Sequence, residues 1–64
     1  MNFSKNLSEL RKEKNVSIKD LAKVVGVLPA TISNWEKGKT KPNINHAIKL
    51  ARFYGVSLSY LLGF

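Results

Sequence analysis

Sixty-four residues allow one domain, and a chain this short buries only about 60% of the surface its unfolded form exposes, so its core is small. With no cysteine, neither a disulfide nor a thiolate metal site can staple it. Tight helix packing must hold the fold, and the composition fits a reducing cytosol, so a cytoplasmic location is expected. The formal net charge is +7, no apolar run approaches the ~20 residues of a membrane span, and the N-terminus, MNFSKNLSELRKEK, mixes charge with apolar residues unlike a signal peptide.

The first helix is expected over Phe3 to Lys14. Phe3, Leu7 and Leu10 form one stripe, Asn2 or Ser4 can cap the start, and Lys12 and Lys14 suit the negative end of the helix dipole. Asn15 fits a left-handed stop, and Val16 a hydrophobic staple before the next helix. In the second helix, Ile18, Leu21, Ala22 and Val25 recur at the spacing of one buried face. Ser17 and Asp20 stand before it as a capping box, and Gly26 ends it. The third helix opens at Pro29, whose missing N–H would have no partner there. Ile32 and Trp35 share its inner face and Gly38 closes it. Two short helices around a glycine turn make a helix-turn-helix unit, whose second helix commonly enters the DNA major groove.

Lys37 to Asn43 reads as a loop with three lysines, a Gly and a Pro. The fourth helix is expected over Asn45 to Tyr54, with Ile44, Ala47, Ile48 and Ala51 on one face and Leu50 and Phe53 broadening it. Gly55 stops it, and Ser57 caps a short fifth helix, Leu58 to Leu62. No strand, repeat or linker is readable. The expected architecture is one all-α domain of five helices over residues 1–64, with the helix-turn-helix at helices two and three.

Charge placement narrows the function. Residues 1–36 carry six Lys/Arg and four acids, net +2; residues 37–64 carry Lys37, Lys39, Lys41, Lys49 and Arg52 with no acid, net +5. That asymmetry points to a polyanion, either nucleic acid or an anionic membrane. A membrane-surface peptide would line its bases along one long helix, whereas these sit in a loop and on several short helices, so no membrane partner is expected. The four acids, Glu9, Glu13, Asp20 and Glu36, and the single His46 form no nucleophile–base pair, and there is no Gly-rich phosphate loop. An enzyme is therefore not expected, nor a metal, a cofactor or a small-molecule ligand. His46 is expected at the surface near the start of helix four, and Trp35 in the core.

Three stretches, LRKEKNVSIKDLAKVVGV, TISNWEKGKTKP and AIKLARFYGVSLSYLLG, together resemble the Cro/CI-type, or xenobiotic-response-element-like, helix-turn-helix family of bacterial and phage regulators. The resemblance covers nearly the whole chain and implies a lambda-repressor-like DNA-binding fold with the third helix in the major groove. On a wheel of ~100° per residue, Leu28, Ile32 and Trp35 face inward, and Ala30, Ser33, Asn34 and Lys37 face out with Thr31 on the flank.

Five residues are then candidate base contacts. Asn34 can pair bidentately with adenine, Thr31 and Ser33 can bond a base edge or a phosphate, and Pro29 and Ala30 can touch a thymine methyl. The best-known relatives carry amide or hydroxyl side chains where this chain has Pro29 and Ala30, which shifts weight to DNA shape. Candidate phosphate contacts are Ser17 at a helix N-terminus, Lys19 on the outer face, and Lys37, Lys39, Lys41 and Asn43 just past the reading helix. The resemblance also implies an ion pair between Arg11 and Glu36.

The expected function is sequence-specific binding of double-stranded DNA by a transcriptional repressor, a homodimer on a palindrome with half-sites about 34 Å apart. Leu58, Tyr60, Leu61 and Phe64 supply a candidate dimer surface. The alternative is an antitoxin or protein-interaction module on the same fold. The chain stops directly after the motif, which is compatible with its being the N-terminal part of a longer protein.

Overall fold

The computed structural model describes residues 3–63. Asn2 as a cap and Phe64 as part of a dimer surface lie outside the described residues. Five α-helices follow in order, α1 (Phe3–Glu13), α2 (Ile18–Val25), α3 (Pro29–Glu36), α4 (Ile44–Tyr54) and α5 (Leu58–Leu62), and no strand occurs among the described residues. The all-α architecture of five short helices is as the sequence leads one to expect.

Local chemistry sets the boundaries. Asn15 closes α1 in the left-handed conformation at φ 56°. Ser17 accepts the Asp20 N–H to open α2, and Gly26 closes it at φ 85°, a conformation that costs a residue with a Cβ about 1–2 kcal/mol. Only half of the expected capping box forms: Asp20 is exposed and its carboxylate returns no hydrogen bond. Ser4 lies inside α1 and does not cap it. Asn43 opens α4 by accepting the His46 N–H, so that helix starts at Ile44 rather than Asn45, and Ser57 does the same for α5 with Tyr60.

The core draws on every helix. Leu7 and Leu10 come from α1, Leu21, Ala22 and Val25 from α2, Ile32 and Trp35 from α3, Leu50, Ala51 and Tyr54 from α4, and Leu61 from α5. Phe3 meets the Trp35 ring edge-on, their centroids 6.4 Å apart. α3 packs on α1 and α2, while α5 packs on α1 and α4. Asn6 ties α1 to α5 by donating from its amide to the Tyr60 carbonyl at 3.0 Å.

Several side chains depart from the expected pattern. Leu28 is 71% exposed instead of facing inward, because it precedes the helix with extended backbone, where the wheel does not apply and neighbours point to opposite sides. Val27 takes the inward place against the core. Around α4 the buried face is Ala47, Leu50, Ala51 and Tyr54. Ile44 and Phe53 are exposed and Ile48 is half-buried, since the face is turned towards α2 and α5. His46 is half-buried, with its ring 5.6 Å from that of Trp35.

Candidate nucleic-acid interface

α3 is divided by its own periodicity. Ile32 and Trp35 are buried, which fixes the orientation of the helix about its axis. The rest of its surface is then left outside: Pro29 and Ala30 are exposed at the N-terminal tip, and Thr31, Ser33 and Asn34 are partly exposed along its length. Pro29 sits in the first turn.

The C-terminal end of α3 is held by a polar clamp. Arg11 donates from Nε to Glu36 Oε2 at 2.6 Å, from Nη2 to Glu36 Oε1 at 3.1 Å, and from Nη1 to the Val16 carbonyl at 3.1 Å. Both side chains are largely covered, 17% and 11% exposed. The hydrogen bonding that Arg11 donates to the Glu36 carboxylate is the main cause that holds the Arg11 pKa above its already high ordinary value, so the guanidinium is charged at any working pH. The clamp joins the α1–α2 turn to the end of α3. Ser17 follows Val16 and Lys37 follows Glu36, so the two phosphate candidates flank one anchor.

The Tyr54 hydroxyl, buried beneath the same region, has no hydrogen-bond partner among the described residues. Burial pushes its pKa up to about 12, opposed by the charge of Arg11 and assisted by that of Glu36.

The remaining phosphate candidates lie as follows. Ser17 is exposed at the N-cap of α2; its oxygen accepts the Asp20 N–H, while its hydroxyl hydrogen remains available to an anion. Lys19 is exposed in the first turn, close in sequence to the exposed acid Asp20. Lys37, Lys39 and Lys41 are exposed in the segment leading to α4. Asn43 has a second role that its sequence position alone did not reveal: its Oδ1 is occupied as the α4 cap, leaving only its amide NH2 for a donor role. The signal was present as a polar residue directly before an apolar helical run. Lys49, not a candidate, reaches the Val25 carbonyl at 3.5 Å at the end of α2.

At α5 the structure corrects the expected dimer surface. Leu61 is fully buried in the core and can contribute nothing to an interface with a second chain. The packing of α5 on α1 and α4 turns it to the inner face, where Leu58 is partly buried as well. Tyr60 is 54% exposed. No helix is long and apolar enough to cross a membrane among the described residues.

Comparison with known proteins bears on this arrangement. A helix-turn-helix family model matches residues 7–61. The chain is 36% identical over 62 residues to the transcriptional activator BcrR of Enterococcus faecalis, covering 97% of this chain and 30% of BcrR. It superposes on a transcriptional regulator of Listeria innocua with TM-score 0.94 and 34% identity, over 97% of this chain and 58% of that one. On the P22 c2 repressor, whose structure is a complex with a synthetic operator, it superposes with TM-score 0.88 and 30% identity, covering 92% and 89% of the two chains. The chain thus spans about a third of BcrR and somewhat more than half of the Listeria protein. The chain belongs to the Cro/CI-type helix-turn-helix family, and its fold is that of the lambda-repressor-like regulators.

Proposed function

We propose that these 64 residues act as a single domain that binds double-stranded DNA selectively, as the reading part of a transcriptional repressor in the cytoplasm, with no catalytic role. One observation carries the reading. Ile32, Trp35 and Glu36 are fixed inward, while Pro29, Ala30, Thr31, Ser33 and Asn34 are left on the outside, directly before three exposed lysines. A helix held this way presents a rigid edge to the major groove. Asn34 then pairs with adenine, Thr31 and Ser33 bond base edges or nearby phosphate, and Pro29 and Ala30 lie against thymine methyls. Ser17, Lys19, Lys37, Lys39, Lys41 and the Asn43 amide take the phosphates.

The P22 c2 repressor, named with an operator, supports this reading, while the name of BcrR shows that relatives include activators. The domain acts as a homodimer on a palindrome with half-sites about 34 Å apart, blocking a promoter. Tyr60, supported by partly buried Leu58, is the contact residue between the two copies.

Selection from random duplex DNA, followed by salt titration of the enriched sequence, tests the reading. A two-fold symmetric motif should emerge, with affinity falling linearly in log units as salt rises. Equal affinity for enriched and random duplexes would overturn selective binding. An enriched asymmetric single site, with a monomeric mass on DNA, would overturn the dimer.

A further inference from the structure

Among the described residues, Leu28 is the most exposed large apolar side chain. It stands where the fold asks for the opposite chemistry. The N-caps of α2, α4 and α5 are Ser17, Asn43 and Ser57, and each accepts a backbone N–H through its side chain. Leu28, at the N-cap of α3, makes no such bond, and leucine is among the poorest N-caps. The helix starts without its side chain: the Leu28 carbonyl takes the Thr31 N–H at 2.9 Å, and Pro29 is preset for the first turn. Nor does the core need it, because Val27 fills that place. With Pro29 and Ala30 also exposed, the tip of α3 presents three apolar side chains and no side-chain donor or acceptor.

We infer that Leu28 is a specificity-determining residue that selects thymine through its 5-methyl group. This rests on the placement of α3 in the major groove proposed above. The thymine methyl is the one apolar group on the major-groove edge of the base pairs. The leucine side chain gains by covering it. The same side chain, laid over a cytosine amino group or the guanine O6 and N7 acceptors, would strip water from them and return no hydrogen bond. Selection therefore works by attraction to one base and rejection of others. Cytosine methylated at carbon 5 carries the same methyl at the same place and should be accepted better than cytosine.

Replacing each thymine of the enriched duplex singly by deoxyuridine removes only the methyl group. The wild-type chain should lose about fourfold in affinity per methyl touched. Leu28→Ser should melt no lower than wild type, since serine supplies a cap, and should bind the thymine and uracil duplexes equally at one of those positions. Leu28→Ala should also lose that discrimination, without offering a new hydroxyl. A wild-type chain with no uracil penalty at any position, or variants that keep every wild-type penalty, would overturn the role of Leu28 alone. If the wild-type chain enriches no duplex, the DNA reading itself falls and takes this role with it.

Discussion

Arg11 holds both carboxylate oxygens of Glu36, at 2.6 and 3.1 Å, and so fastens the last residue of α3 to α1. The same guanidinium bonds the Val16 carbonyl, one residue before the α2 cap. One side chain thereby ties the end of α3, and the turn that leads into α2, to α1. The position of α3 rests on two supports of different kind, the buried Ile32 and Trp35 and this ion pair at its end.

Glu36→Ala should leave the Arg11 charge mostly covered with two donors unmet. The expected loss is about 1–3 kcal/mol, discounted for the residual exposure of the pair. The thermal midpoint should fall about 4–8 °C for each kcal/mol. Arg11→Lys should not restore stability, because a single ammonium cannot match the two-point geometry and also reach Val16. Unchanged midpoints by circular dichroism for Glu36→Ala and Arg11→Ala would show the pair to be energetically idle.

Asn43→Asp separates capping from DNA binding. The carboxylate keeps the oxygen that accepts the His46 N–H and adds negative charge at the α4 N-terminus, so stability should hold or rise by about 0.3–1 kcal/mol. DNA affinity should fall, since the new charge would face phosphate. Parallel thermal melts and duplex titrations check whether the two quantities move apart.

The Tyr54 hydroxyl yields a pH prediction. Its folded pKa, about 12, lies above the ordinary value of 10.0, so the native state holds this proton more tightly than the unfolded chain. The contribution to stability is complete below pH 10 and is lost as pH rises towards 12. Tyr54→Phe should flatten this alkaline loss while leaving stability at pH 7 unchanged or higher, because it deletes a buried hydroxyl with no partner. Urea titrations at stepped pH would reveal the difference.

Asn34→Ala and removal of the loop lysines should fail in different ways. The first should cost about 1–3 kcal/mol on the enriched duplex and relax preference at one base position. Replacing Lys37, Lys39 and Lys41 by alanine should weaken binding to all duplexes alike and flatten the log–log salt slope by about 0.9 for each phosphate left without its lysine. The thermal midpoint should barely change, because all three lysines are exposed. Affinity measurements at four salt concentrations separate the two patterns.

Much of the fold was legible because short-range chemistry determined it. Ser17 and Gly26 mark the ends of α2, Ser57 opens α5, and the 3–4 spacing of Leu7 and Leu10, or Ile32 and Trp35, fixes the buried faces. Legibility failed where tertiary placement decided. Tyr54 is core and Ile44 is not, although both fit an apolar stripe of α4, because the rotation of that helix depends on its partners α2 and α5. Leu61 reads like its neighbours, yet five residues give too little periodicity to tell its inner side from the outer one where Tyr60 lies. Leu28 misled because helical spacing does not extend back into extended chain. In the candidate interface, the outward placement of Pro29, Ala30 and the three lysines was readable from the pattern, while the role of Asn43 as a cap follows from α4 beginning at Ile44 rather than Asn45.

The most direct test of the central claim, that the outer face of α3 and the basic segment after it bind DNA, is a backbone amide NMR titration with the enriched duplex. Shifts should concentrate at Ser17 and Lys19, along residues 28–34, and over residues 37–43, with the buried side of α1 and the α5 region moving little apart from Tyr60 if two copies meet there. Shifts centred on α4 and α5 with α3 unmoved, or no shifts at low salt, would contradict it.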